Sequence, residues 1–97
     1  MILVTVNFVP LKKHEGDFLK AFNELAEATK KEDGCISYDI YPSNGDASDY
    51  FLFERWETKA KLDAHLKTTH FVGFMDVSKD WYEKEIDISV YEASKIQ

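Results

Sequence analysis

The chain has 97 residues, of which 44% are hydrophobic and 14% aromatic, and its 12 basic and 18 acidic side chains give a net charge of −6. This length and composition predict one compact domain over residues 1–97 and exclude a disordered chain. Because an acidic surface repels phosphates and anionic lipid, we expect no nucleic-acid and no membrane partner. With one cysteine, no basic leader and no spanning-length apolar run, the sequence predicts a cytoplasmic protein without an internal disulfide.

The first part of the chain predicts a strand, a helix and a second strand. Residues 2–9 are rich in β-branched and aromatic side chains and end at Pro10, which is typical of a strand. Residues from about 14 to 32 follow a helical period that stops at Gly34. The apolar stripe of this helix contains Phe18, Phe22, Leu25, Ala26 and Thr29. Residues 35–41 alternate as a strand, with Ile36, Tyr38 and Ile40 on one face.

The second part predicts a hairpin, an interrupted helix and a last strand. Turn-forming residues at 42–46 lead into a third strand at 49–56. Thr58 is a suitable N-cap for a helix that begins near Lys59, and Thr68-Thr69 interrupts that helix. After the interruption the inward-facing side chains are Phe71, Phe74, Met75, Ser78, Trp81 and Tyr82. Residues 86–91 alternate as the final strand.

The element order β-α-β-β-α-β predicts an α+β, ferredoxin-like fold, in which four antiparallel strands carry both helices on one face. The first and third strands are largely apolar on both faces, so the face without helices must also be buried. We therefore expect a homodimer whose two sheets pack face to face. The uniformly apolar side of the first strand suits this interface, and it consists of Ile2, Val4, Val6 and Phe8. Asn7 would then point towards the helices, where its amide must find a hydrogen bond or line a polar pocket.

Four side chains in the second half are candidates for chemistry. His65 and His70 are five positions apart, which on a continuous helix is a rotation of about 140°, so no metal site is expected. His65 alone fits either a hydrogen-bonded core histidine or a catalytic base. Glu54 lies within an apolar strand and requires an imidazole or a basic partner. Trp56 fits either the core or a substrate platform.

The segments Phe53-Glu54-Arg55-Trp56-Glu57 and Ala64-His65-Leu66-Lys67-Thr68-Thr69-His70-Phe71 together resemble the signature of the antibiotic biosynthesis monooxygenase family. The resemblance implies a dimeric α/β barrel and oxidation of a small aromatic or enolic substrate, such as a quinol or phenol, by O2 without metal or flavin. It implies His65 as general base, oriented by Glu54, with Asn7 donating to the developing oxyanion. The implied substrate-binding residues are Trp56, His70, Phe71, Phe74 and Met75.

Three other functions are compatible with the same fold. Haem-degrading relatives need an axial histidine about ten positions beyond an inward tryptophan. Here Met75 holds the position of that histidine and His65 holds the position of the tryptophan, so this function is disfavoured. An isomerase of phosphorylated, autoinducer-type sugars needs a phosphate-binding cluster, and Arg55 is the single arginine. A non-enzymatic module for small-ligand binding or stress response also remains open, because a fold does not fix a function.

Overall fold

The computed structural model describes residues 1–43 and 49–97. The strands are β1 (Ile2–Phe8), β2 (Cys35–Pro42), β3 (Tyr50–Trp56) and β4 (Asp87–Glu92), and the α-helices are α1 (Glu15–Thr29), α2 (Lys59–His65) and α3 (Thr69–Ser78). The strands form one antiparallel sheet in the order β2-β3-β1-β4. This arrangement confirms the α+β, ferredoxin-like fold. Most of the predicted turn at 42–46 lies outside the described residues.

Helix α1 packs through the stripe that its periodicity predicts, since Phe18, Phe22, Leu25, Ala26 and Thr29 are all buried. The helix ends at Thr29, three residues before the predicted end. The next residues form a turn in which the backbone N–H of Glu32 donates to the carbonyl of Thr29 at 2.9 Å. Gly34 completes the turn with a φ of 88°. Glu32 therefore belongs to the connection into β2 and not to the helix.

The second helical segment is interrupted where the two threonines predict it. The Thr58 side chain accepts from the backbone N–H of Lys61 and caps α2, and the Thr68 side chain accepts from that of Phe71 and caps α3. The Thr68 hydroxyl also donates to the carbonyl of His65 at 2.7 Å, which holds the connection tight. Each described helix is too short or too polar to cross a bilayer.

In the structure, the two sides of β1 face in the directions opposite to those predicted. Ile2, Val4, Val6 and Phe8 are buried under the helices, where the Phe8 ring lies 5.1 Å from Phe18 and 6.3 Å from Phe74 between centroids. Asn7 is exposed on the open face, so the prediction that it points towards the helices is wrong. Both sides of β1 are apolar enough to be buried, and the strand alone does not specify which side the helices cover.

Strand β2 also departs from simple alternation. Its pairing with β3 is irregular between Cys35 and Ser37, and Ile36 stands at this bulge with 45% of its surface exposed. The prediction that Ile36 shares a face with Tyr38 and Ile40 is therefore wrong, because an extra residue in one strand displaces the alternation. Tyr38 lies beyond the irregularity and is buried.

The open face of the sheet carries several apolar side chains. Phe51 and Phe53 alternate along β3 with the buried residues, and both are half-buried. Leu3 pairs with Arg55 on one side and with Tyr91 on the other, so all three lie on the same face. Leu3 is half-buried there and Tyr91 is exposed. Apolar side chains on a sheet face without helices favour association, so the homodimer through sheet faces is our proposal for how this face is buried.

A charge placed on this surface tests the proposal. We expect the chain to have the mass of a dimer in light scattering and Phe53→Glu to have the mass of a monomer, because a carboxylate cannot be buried unpaired between two sheets. Val72→Glu, on an exposed helical position, is the matched control and should remain dimeric. A wild-type mass of one chain would exclude the dimer.

Gly34 is the glycine whose conformation the fold requires. Its φ is positive, and a Cβ there would lie within 3 Å of the Lys61 side chain. We expect Gly34→Ala to reduce the free energy of unfolding by about 1–3 kcal/mol. Gly73→Ala is the control, because nothing lies within 4 Å of its Cβ position in α3, and it should stabilise by about 0.5–1 kcal/mol. Equal effects in urea denaturation would contradict this assignment.

Candidate active site

A cavity of about 140 Å³ lies between the helix-facing side of the sheet and the helices. All four strands contribute to its wall, as do side chains from α1, α2 and α3. Its surface is almost entirely apolar. The lining residues are Val4, Val6, Phe8, Leu25, Tyr38, Leu52, Glu54, Leu62, Leu66, Phe71, Phe74, Met75, Ile86, Ile88 and Val90. Among these, Tyr38 and Glu54 supply the polar groups.

Glu54 places a carboxyl group on the wall of this apolar cavity. It lies in β3 between Leu52 and Trp56 on the buried face and is 5% exposed. Burial raises the pKa of Glu54 to about 7; a hydrogen bond from the indole Nε1 of Trp56 opposes this shift, and the charge of Glu32 adds to it. The indole nitrogen donates to Oε1 at 2.9 Å. Near neutral pH this carboxyl is thus divided between an acid and a base.

His65 lies at the end of α2 and is 1% exposed, but it is not among the described residues that line the cavity. Its ring is surrounded by Trp56, Phe71 and Tyr38, with centroids 4.8, 5.0 and 5.6 Å away. Burial lowers the pKa of His65, although the hydrogen bond with Glu32 opposes the shift, so the ring is neutral. Its Nδ1 donates to Glu32, and its buried Nε2 has no hydrogen-bond partner among the described residues.

Glu32 connects the two histidines. Its Oε2 lies 2.7 Å from Nδ1 of His65 and 2.7 Å from Nε2 of His70. The rotation of about 140° that a continuous helix would give does not apply here. Because the chain breaks between α2 and α3, His70 begins a second helix and turns back towards the same carboxylate. The orientation of His65 by Glu54 is wrong as well, since Glu32 holds that imidazole and Glu54 bonds to Trp56.

The structure brings only some of the predicted site residues together. Phe71, Phe74 and Met75 line the cavity with Glu54, as the apolar-wall interpretation expects. Trp56 is fully buried and donates to Glu54 but is not among the described residues that line the cavity, and His70 bonds to Glu32 and is not among them either. Asn7 lies on the opposite face of the sheet. Glu32 and Tyr38 were not predicted as site residues, because their proximity to the site depends on a turn and a strand pairing that no local pattern specifies.

The cavity offers no basic side chain to a substrate among the described residues that line it. The single arginine, Arg55, lies on the open face of β3, where its Nε donates to the hydroxyl of Ser37 at 2.8 Å. A phosphate group would find no positive charge inside such an apolar enclosure. This arrangement disfavours the isomerase of phosphorylated sugars.

Residues 1–77 match the family model described as antibiotic biosynthesis monooxygenase, so the chain belongs to that family. Among curated proteins it is 33% identical to protein sll1783 of Synechocystis over 88 residues, which is 91% of this chain and 58% of that protein. The chain thus spans little more than half the length of this relative. It is 28% identical over 86 residues to a Bacillus subtilis protein named "Putative monooxygenase YcnE", covering 89% of this chain and 88% of that one.

The fold has close counterparts among solved structures. The Mycobacterium tuberculosis protein Rv0793 superposes with a TM-score of 0.91 at 24% identity, and the alignment covers 97% of this chain and 95% of that one. A conserved protein from Methanosarcina mazei superposes with the same score, 0.91, at 26% identity, covering 96% and 92%. These similarities agree with the ferredoxin-like architecture. The family membership supports a monooxygenase-like function in general terms.

The raised pKa of Glu54 has a consequence for stability. The unfolded carboxyl has a pKa near 4.5 and the folded one near 7, so between these values the native state keeps a proton that the unfolded state releases. The free energy of unfolding should fall as pH rises from about 4.5 to about 7, by on the order of 3 kcal/mol. Glu54→Gln removes this contribution, because an amide does not titrate.

Urea denaturation of both proteins at pH 5 and pH 8 measures the effect. As pH rises from 5 to 8, the free energy of unfolding of Glu54→Gln should increase relative to that of the wild type. Comparing the two proteins cancels the opposing contribution of His65, which must be neutral in the fold and costs stability at low pH. An unchanged difference between pH 5 and pH 8 would mean that Glu54 titrates normally.

Proposed function

We propose that this protein is a cofactor-independent monooxygenase that oxidises a small, monocyclic quinol or phenol with O2, and that Glu54 takes the proton from the substrate hydroxyl. The observation that carries the proposal is a titratable carboxyl, with a pKa near 7, on the wall of an otherwise apolar cavity. General-base catalysis is most effective when the pKa of the base lies near the working pH. The proposal specifies, for this chain, the general activity of its family.

The size of the cavity limits the substrate. A dry, apolar cavity of about 150 Å³ accommodates benzene. The cavity here is about 140 Å³, which is close to the volume that holds one aromatic ring. Phe71, Phe74 and Met75 give the ring apolar and aromatic contacts. A substrate hydroxyl directed at Glu54 would have the strongest polar interaction that the enclosure offers.

The proposed reaction needs no electrons from outside. Glu54 accepts a phenolic proton from a hydroquinone. The resulting phenolate adds O2 at the ring carbon ortho to the deprotonated oxygen, which forms a peroxide anion. Glu54 returns its proton to the peroxide, and loss of water leaves a carbonyl at that carbon. In total, hydroquinone and O2 give hydroxyquinone and water; the substrate loses four electrons, one oxygen atom enters the product and the other leaves as water. The apolar wall raises the energy of the anion and excludes water from competing with O2.

His65, which the resemblance to the family implies as the base, is the second candidate for this role. Its buried Nε2 carries a free lone pair, since Nδ1 donates to Glu32. However, His65 does not contribute to the described wall of the cavity, whereas Glu54 does. We therefore assign proton transfer to Glu54, and we assign to His65 the positioning of Phe71 and Trp56, which pack against its ring.

Oxygen uptake by wild type and variants tests the proposal. With a panel of monocyclic hydroquinones, corrected for spontaneous oxidation, we expect one O2 consumed per product, no released hydrogen peroxide, and a rate that rises with pH through about 7. Glu54→Gln should lower kcat/KM roughly 100-fold or more, because the amide cannot accept a proton. Naphthalene-based hydroquinones, which have two fused rings, should not be oxidised.

Two variants provide the controls. His65→Gln keeps a donor for Glu32 and should retain most of kcat, while His14→Ala, on an exposed pair with Asp17, should behave as wild type. Loss of turnover in His65→Gln with full turnover in Glu54→Gln would transfer the role of base to His65. Thermal stabilisation by hydroquinones without any oxygen uptake would replace the oxygenase by a ligand-binding module.

A further inference from the structure

We propose that Glu32, His65 and His70 form a binding site for a divalent transition-metal ion of the zinc class. The ligand atoms would be Oε2 of Glu32, Nδ1 of His65 and Nε2 of His70, which all lie within 4.8 Å of one another. Two imidazoles and one carboxylate form a ligand set that zinc uses in proteins when one coordination position stays open. Neither the family membership nor the proposed oxidation requires this site.

The three side chains must move to form a tetrahedral site. Ligand atoms bound to zinc at about 2.0–2.1 Å stand roughly 3.3 Å apart. The carboxylate oxygen is 2.7 Å from each nitrogen, so each of these two distances would lengthen by roughly 0.6 Å to admit the ion. The three atoms lie within 4.8 Å of one another, so the two nitrogens would approach each other by up to roughly 1.5 Å. The side chains of Glu32 and His70 are 14% and 28% exposed, which leaves them free to adjust and gives the ion a path from solvent.

The protonation state of the two rings is compatible with replacing their hydrogen bonds to Glu32 by bonds to a metal ion. Both nitrogens now donate to one carboxylate oxygen, so each ring carries its proton on the atom that would bind the metal. A neutral imidazole can hold its proton on either nitrogen, and metal binding requires that the proton move to the other nitrogen of each ring. In His65 that nitrogen is the buried Nε2, which has no hydrogen-bond partner among the described residues, so the metal bond must offset an unpaired N–H there. The carboxylate, with no basic side chain bonded to it among the described residues, supplies the negative charge that favours a cation.

The position of Glu32, His65 and His70 among the helices indicates a structural role for the bound ion. Glu32 follows α1, His65 ends α2 and His70 lies in the first turn of α3. An ion bound here would join three segments of the helical layer that covers the cavity. Because none of the three side chains contributes to the described cavity wall, the proposed role is stabilisation of this layer and not contact with substrate.

Isothermal titration of the metal-free chain with Zn²⁺ tests the site, and Co²⁺ provides a spectroscopic probe of the coordination geometry. We expect one Zn²⁺ per chain with micromolar or tighter affinity, and tetrahedral absorption bands with Co²⁺. A saturating ion that binds only the folded state should raise Tm by about 10 °C or more when its concentration is a hundred times Kd. These measurements use no substrate, so they are independent of the proposed oxidation.

Variants identify the ligands. Glu32→Gln can still accept hydrogen bonds from both rings but lacks the charge, and it should weaken Zn²⁺ binding roughly 100-fold or more; His70→Ala should do the same. His14→Ala is the matched control, because His14 pairs with Asp17 at 3.1 Å on the surface but has no third ligand among the residues that the structure describes, and this variant should bind Zn²⁺ as wild type does. Absence of saturable binding to wild type, or equal binding by wild type and His70→Ala, would overturn the proposal.

Discussion

The burial of one carboxyl group in an apolar layer is the constraint on which the chemistry of this structure depends. Strand alternation places Glu54 between Leu52 and Trp56, and water cannot solvate its charge there. An isolated ionised carboxylate in such surroundings costs several kcal/mol, and the hydrogen bond from the indole of Trp56 offsets part of this cost. The group responds by titrating near neutral pH, so the same desolvation that reduces the stability of the fold makes the carboxyl an effective base.

A second carboxylate organises the helices above this layer. Glu32 lies beyond the end of α1 and accepts from histidines at the end of α2 and the start of α3. One oxygen atom therefore links the end of α1 to two histidines that lie 33 and 38 residues further along the chain, and it sets the tautomer of His65. The repulsion between Glu32 and Glu54 contributes to the raised pKa of Glu54, so the helical layer and the cavity are also coupled electrostatically.

The cavity is least covered along β4. Ile88 and Val90 line it from the edge of the sheet, and about half of each side chain is exposed, because the helices cover the other strands better than this one. This edge is the direct route into the cavity for a small substrate. If two chains associate through their open sheet faces, as we propose, Tyr91, which is exposed on that face, follows Val90 and brings the interface next to the entrance.

The sequence alone determined the element order, the buried stripe of α1, the helix break at Thr68 and the apolar residues Phe71, Phe74 and Met75, because these depend on local periodicity and capping. It also singled out Glu54, since a charge in an apolar strand needs an explanation. Tertiary structure decided which face of β1 meets the helices, which excludes Asn7 from the cavity, and which carboxylate meets His65. Strand faces that are both apolar carry no information about which one is covered, and the contact of Glu32 with His65 spans 33 residues, beyond the reach of any local pattern.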